Sequence, residues 1–80
     1  MKVKDYLLEN PNKISYTIRI NKKYYGCNAV EALRVFGNLE VRTVTNKFDS
    51  EELVQLNIDA PRSIQTKKDV LRFIAQSNAQ

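Results

Sequence analysis

Residues 14–27 have the sequence ISYTIRINKKYYGC, and this stretch decides the fold. Apolar and polar side chains alternate strictly over 14–20, where most of the residues are β-branched or aromatic, which predicts a β-strand. A second strand is predicted over 23–27. Asn21 and Lys22 lie between the two strands, and since asparagine tolerates a positive φ, the pair can form a two-residue hairpin loop.

A loop of two residues fixes which side chains face the core. It places Arg19 opposite Tyr24 and Ile18 opposite Tyr25, and partners across an antiparallel pair share a face. We therefore expect Tyr25 and Cys27 to point inward with Ile18. Tyr24 is expected to stand outside, beside Arg19.

Two helices are predicted towards the ends of the chain. Residues 2–9 have apolar side chains at helical spacing, and Pro11 pushes the residue before it out of the helical region. At the other end, Thr66 with Asp69 three residues later predicts a helix that runs to about residue 77. The side chains expected on one side of each helix are Val3, Tyr6 and Leu7 on the first and Val70, Phe73, Ile74 and Ser77 on the last.

A third helix is predicted over 29–36. Asn28 and Glu31 have the spacing of a capping box at its start. Gly37 lies where a residue in the left-handed region commonly ends a helix. The stripe expected to be buried consists of Val30, Leu33 and Phe36.

Two further strands are predicted after this helix. The apolar positions of 39–45 shift phase near Arg42 and Thr43, which indicates a bulge. The segment 49–59 fits two structures: Asp49 and Glu52 could cap a helix, whereas every second residue from 54 to 58 is aliphatic. We favour the strand, because the alternation is unbroken.

These elements predict one α+β domain over 1–80, since 80 residues leave no room for a second. The expected order is α-ββ-α-ββ-α, a four-stranded antiparallel sheet built from two hairpins with helices on one face. The outer face of that sheet would present Ser15, Thr17, Arg19, Glu40 and Arg42. Its unguarded edges make homodimerisation possible.

Composition narrows the chemistry. The chain has 13 Lys and Arg against 9 Asp and Glu, a net charge of +4, which is compatible with an acidic protein surface or with nucleic acid. It has no histidine and a single cysteine, so we expect no disulfide, no metal site and no cofactor. We find no signal peptide and no apolar run that could span a membrane, and we expect a cytoplasmic protein without membrane association.

Catalysis is not expected. Without histidine no Ser or Cys nucleophile has a histidine as base, and the inward position of Cys27 favours an inert thiol. The acidic group of Asp49, Glu51 and Glu52 resembles a solvated turn more than a carboxylate pair. An enzyme that uses this acidic loop remains a third hypothesis.

Two basic surfaces are candidates for binding. A hairpin tip with an outward tyrosine can stack on a base, hold a phosphate or contact a protein. The last helix carries cations near its N-terminus, where they oppose the helix dipole, which hints at recruitment by an acidic partner. The candidate residues are Arg19, Lys22, Lys23 and Tyr24 at the tip, and Arg62, Lys67, Lys68 and Arg72 at the helix.

The segments 18–26 and 36–41, in a chain rich in Lys, Asn and Ile, resemble small accessory proteins of phages and mobile elements of low-GC Gram-positive bacteria. That resemblance implies a short single-domain protein that binds host machinery, for example an inhibitor of a host defence system. Our first hypothesis is therefore a non-enzymatic protein-binding module. The alternative is a small nucleic-acid-binding regulator in which helix 29–36 and hairpin 39–59 form a winged-helix-like unit, although Arg34 is the one cation of that helix.

Overall fold

The computed structural model describes residues 1–11, 13, 15–46 and 52–79. Its elements follow the predicted order α-ββ-α-ββ-α, so the α+β class is confirmed. The helices are α1 (Val3–Glu9), α2 (Ala29–Phe36) and α3 (Lys67–Asn78). The strands are β1 (Ser15–Ile20), β2 (Lys23–Cys27), β3 (Val41–Asn46) and β4 (Leu53–Ile58).

The four strands form one mixed sheet in the order β2-β1-β4-β3. Both hairpins are antiparallel, but β1 and β4 run parallel, with Ser15 opposite Leu53 and Arg19 opposite Asn57. The prediction of a wholly antiparallel sheet was wrong. In the second hairpin, β4 lies in the centre of the sheet, where every second side chain is apolar and buried. The more polar and more exposed β3 lies at the edge.

The first hairpin has the predicted register. Arg19 pairs with Tyr24 and Ile18 with Tyr25, and Asn21 is in the left-handed region with φ 55°. Tyr25 packs against the core at a ring-centroid distance of 5.8 Å from Phe36. This confirms that one tyrosine points inward and that its neighbour Tyr24 stands outside.

The core lies between the three helices and one face of the sheet. Alternate residues of the two central strands are buried there, whereas the residues between them are half-buried or exposed on the opposite face. The buried side chains of the central strands are Tyr16, Ile18, Ile20, Val54, Leu56 and Ile58. The hydroxyl of buried Tyr16 donates a hydrogen bond to the carbonyl oxygen of Asn10 at 3.0 Å, so the polar end of this side chain is satisfied.

Helix α2 buries a different face from the one predicted. Ala32 and Phe36 are buried, whereas Val30 and Leu33 are 61% and 54% exposed. The stripe prediction was therefore right for Phe36 and wrong for the two aliphatic residues. The small side chain of Ala32 lets the helix pack closely, and three large apolar residues of α2, Val30, Leu33 and Val35, remain exposed.

The end of α2 also differs from the prediction. Gly37 has φ −56° and ψ −32°, which is right-handed helical geometry and not the left-handed region. The glycine is needed for a different reason, because a Cβ at this position would collide with the carbonyl oxygen of Leu33.

Three further local predictions are confirmed. Residues 53–58 form a strand and not a helix, and the β3–β4 register shifts between Val41 and Thr43, as a bulge requires. Both capping boxes are present, at Asn28 with Glu31 and at Thr66 with Asp69. In the described part of the chain, no helix is long and apolar enough to cross a membrane.

The central position of β4 leads to a stability prediction. Leu56 is fully buried, so Leu56→Ala should lower the free energy of unfolding by about 2–5 kcal/mol. Leu71→Ala makes the same chemical change at a helix position that is 58% exposed, and it should alter stability by less than about 0.5 kcal/mol. Urea unfolding followed by circular dichroism measures both, and equal losses would contradict the central place of β4.

Candidate functional site

Parallel pairing of β1 and β4 brings two loops to the same end of the sheet. Because the strands run in the same direction, their carboxyl ends, at Ile20 and Ile58, lie next to each other. The turn at residues 21–22 therefore meets the segment 59–66 that leads into α3. In an antiparallel pairing of β1 with β4, these loops would lie at opposite ends of the sheet.

Asn21 joins the two loops. Its side-chain amide donates hydrogen bonds to the carbonyl oxygens of Pro61 and Ile64, both at 2.8 Å. The two amide hydrogens suffice for both bonds. Since Asn21 also supplies the positive φ of the turn, one residue both shapes the hairpin tip and holds the neighbouring segment against it.

An open groove of about 600 Å³ lies between the turn and this segment, and we call it the basic groove. Four of its seven lining residues are cationic, namely Arg19, Lys22, Lys23 and Arg62, and the others are Asn21, Ile64 and Gln65. The first three cations come from the hairpin and the fourth from the segment before α3. The fold thus brings Arg62, one of the four residues of the predicted helix surface, next to the predicted hairpin tip.

The groove cations form no ion pair with any carboxylate in the part of the chain that the structure describes. Across the described residues, the ion pairs are the N-terminal amine with Glu40 and Arg42 with Asp59, and neither involves a groove cation. Four like charges around one concavity produce a positive potential that attracts anions over a distance of about 8–10 Å at moderate salt.

Arg19 is held at the rim of the groove by its own hairpin. Its Nε donates a hydrogen bond to the carbonyl oxygen of Asn21 at 2.9 Å. Its guanidinium lies over the ring of Tyr24, 5.8 Å from the ring centroid, in a cation–π arrangement. Tyr24 is 57% exposed, so an aromatic surface stands next to the groove.

A second, smaller concavity continues from the basic groove across the open face of the sheet. The two share Arg19 and Asn21, and the second also includes Arg42. Arg42 pairs with Asp59 at 3.3 Å, with both side chains about two-thirds exposed. An anion that extends into this region would compete with Asp59 for Arg42.

The remaining predicted binding residues lie elsewhere. Lys67 and Lys68 are exposed in the first turn of α3 and do not line the groove. Arg72 lines a separate concavity on α3. Next to these lysines, the backbone N–H groups of Thr66 and Gln65 donate to Asp69 and hold the pKa of that carboxyl below its usual range.

Sequence reasoning missed the role of Asn21 as a link and the contributions of Ile64 and Gln65. The requirement for a positive φ did single out Asn21, but only for its backbone. Its bonds to Pro61 and Ile64 span about half the chain, and no local pattern encodes them.

Cys27 lies half-buried at the end of β2, against the core. Burial raises the pKa of its thiol to about 11, and the nearby carboxylate of Glu31 adds to the rise. A thiol in this state is a poor nucleophile at neutral pH. Of the acidic loop, Asp49 and Glu51 lie outside the described residues, so the hypothesis built on it stays untested.

The fold and the groove define the chain as a small α+β domain with a cationic site beside a mixed four-stranded sheet. No family model matches it, and neither the curated proteins nor the solved structures contain a match. The resemblance to phage accessory proteins therefore stays a prediction.

The first prediction from the site concerns Asn21. Asn21→Gly keeps the positive φ and removes both side-chain hydrogen bonds, so it should cost about 1–2 kcal/mol of stability. It should also speed amide exchange at Ile64, whose N–H donates to Pro61 at 3.1 Å. Asn21→Ala adds backbone strain and should cost about 1 kcal/mol more. Unchanged exchange at Ile64 in Asn21→Gly would show that the link does not hold the loop.

The second prediction concerns Cys27. Because its pKa is raised to about 11, the folded protein should react with iodoacetamide at pH 8 on the order of 100-fold more slowly than the urea-unfolded chain. The rate should rise with pH up to about 11. Mass spectrometry of the alkylated protein measures the rate. A folded thiol that reacts as fast as the unfolded one would contradict the inert role.

Proposed function

We propose that this protein is a non-enzymatic binding module that holds an acidic segment of a protein partner in the basic groove. The observation that carries the proposal is the convergence of Arg19, Lys22, Lys23 and Arg62 on one groove, where no carboxylate of the described residues forms an ion pair with them. Following the resemblance to phage and mobile-element accessory proteins, the partner would be a cytoplasmic component of the host whose action the module blocks or redirects.

The groove suits a short extended segment. A volume of about 600 Å³ accommodates a few side chains, and Ile64 gives the groove one apolar wall among the cations. Acidic residues on either side of an apolar one would match this lining. Complementary charge would mainly speed association and exclude basic competitors, whereas contact with Ile64 would contribute to the lifetime of the complex.

Apolar residues on the helices favour a protein over a nucleic acid. Val30 and Leu33 on α2 are more than half exposed, and Leu8 on α1 is 80% exposed. Aliphatic side chains of this size contribute to protein–protein contacts and give little to a phosphate backbone.

Single-stranded nucleic acid is the second candidate, favoured by the exposed Tyr24 ring beside the groove cations. A base can stack on tyrosine while a phosphate contacts arginine or lysine. The winged-helix arrangement has less in its favour, because β4 lies inside the sheet between β1 and β3 and is not part of a projecting wing.

The test of the groove is a charge reversal with a matched control. Lys22→Glu/Arg62→Glu should weaken binding of a fluorescent decaglutamate peptide by about 10-fold or more at about 50 mM salt, because two attractions become repulsions. Lys67→Glu/Lys68→Glu changes the net charge by the same amount outside the groove and should change affinity less than about twofold. Fluorescence anisotropy measures both. An equal loss in the two variants would show that net charge, and not the groove, binds the peptide.

Two further measurements separate the candidate functions. Affinity capture from a bacterial lysate, repeated with the Lys22→Glu/Arg62→Glu variant, should recover a protein with the wild type that the variant loses. An oligothymidylate titrated in parallel should bind more weakly than the peptide. If it binds more tightly, and Tyr24→Ala reduces that binding while sparing the peptide, the nucleic-acid function replaces the protein function.

A further inference from the structure

Strand β2 is an outer strand of the sheet, with β1 on one side of it. In a two-residue hairpin the pair next to the loop exchanges hydrogen bonds, and bonded and non-bonded pairs then alternate. The pair next to the loop is Ile20 with Lys23. It follows that the backbone N–H and C=O groups of Tyr24 and Gly26 point away from β1, towards the outer edge.

The other outer strand, β3, is less accessible at its start. There the N–H of Val41 donates to the carbonyl oxygen of Met1 at 2.8 Å, and the N–H of Val3 donates to Leu39 at 3.0 Å. Residues 1–3 therefore lie beside the first residues of β3 and bond to the backbone there. Among the described residues, β2 offers the more open edge for another strand.

The structure of the single chain does not require a glycine at position 26. Its φ is not positive, and a Cβ at this position would meet nothing within 4 Å. Glycine inside a strand costs about 0.5–1 kcal/mol relative to alanine and often marks a place where another chain approaches closely. Its neighbour Tyr24 lies on the same face of the strand, with an exposed ring.

We propose that two copies of this chain pair through β2, antiparallel and centred on Tyr25, and so join two four-stranded sheets into one. In this register Tyr24 lies opposite Gly26 of the partner subunit, and Gly26 lies opposite the partner's Tyr24. Both residues direct their backbone groups outward, so each of these two pairs exchanges two hydrogen bonds. Each tyrosine ring covers a glycine, which is a favourable cross-strand pairing.

Charge complementarity supports a second copy as the occupant. The register brings Lys23 opposite Cys27 of the partner subunit, on the helix-covered face of the sheet. Within one chain, the carboxylate of Glu31 accepts a hydrogen bond at 3.4 Å from the N–H of Asn28, the residue that follows Cys27. Lys23 of each subunit therefore approaches the partner's Glu31, and the two-fold axis creates this contact twice.

Lys23 lines the basic groove and also faces the partner's Glu31 in the dimer, whereas Arg19, Lys22 and Arg62 stay available to an anion in each groove. In an antiparallel pair the two hairpin turns lie at opposite ends of the joined strands, so the grooves are far apart. Val35, which is 38% exposed and lies one turn beyond Glu31 on the same side of α2, would also be partly covered.

The first test uses a substitution that blocks the outer edge alone. Light scattering after size-exclusion chromatography at about 10–500 µM protein should give twice the monomer mass for the wild type. Gly26→Pro removes an N–H that makes no bond to β1, which an edge strand tolerates, and it should weaken dimerisation by about 10-fold or more. It should leave decaglutamate binding unchanged, which separates failure of the dimer from failure of the groove.

The second test uses a charge exchange. Lys23→Glu and Glu31→Lys should each weaken the dimer, and the double variant should return the dissociation constant to within about threefold of the wild type, because the pair is restored with opposite sign. Circular dichroism checks that each variant is folded. Three results would overturn the proposal. They are a wild type that is monomeric at about 500 µM, a dimer that Gly26→Pro does not weaken, and a double variant that dimerises no more tightly than the single variants. Such an insensitive dimer would indicate a different contact surface.

Discussion

The structure depends on the parallel pairing of β1 with β4. This pairing aligns two apolar rows, with Ile18 directly opposite Leu56, and both of these side chains are fully buried. The same pairing also determines which loops are neighbours, since the carboxyl ends of two adjacent parallel strands lie side by side. The hairpin turn and the segment before α3 become neighbours because β1 and β4 share a direction, and the basic groove is a consequence of that direction.

The groove also shows how a small domain positions a site with few residues. Asn21 adopts the backbone conformation that the turn requires, and its side chain bonds the loop that carries Arg62. Its amide group donates to the carbonyl oxygens of Pro61 and Ile64, and the first of these also accepts the N–H of Ile64, so the loop and the link share an acceptor. A glycine could adopt the same turn but could not make this link. Asn21 therefore positions the groove cations in two ways, through its backbone in the turn and through its side chain on the segment that carries Arg62.

Local features of the fold could be predicted from the sequence, whereas its long-range pairing could not. The two-residue loop at Asn21 and Lys22 predicted the register of the first hairpin. The spacing of Asn28 with Glu31 and of Thr66 with Asp69 predicted two helix starts, since such features depend on neighbouring residues. Alternation does not state which strand of the second hairpin meets the first, or in which direction. For this reason the composition of the groove could not be predicted either. Arg62 and Lys22 were both candidates, but only the pairing of β1 with β4 brings them together. On α2, apolar spacing favoured Val30 and Leu33, yet the helix packs closely through Ala32, which a count of large apolar residues overlooks.

An outer strand that carries lysine is usually protected from pairing, because a charge in the middle of the edge must be desolvated when a second strand binds. The position of the charge decides whether this protection operates in β2. Lys23 is the first residue of the strand, whereas its middle contains Tyr24, Tyr25 and Gly26, which have no charge to desolvate. In an antiparallel self-pairing the first residue meets the last, so two lysines do not face one another. Each instead approaches the end of the partner strand where Glu31 lies, and a charge that would repel in a parallel arrangement selects the antiparallel one.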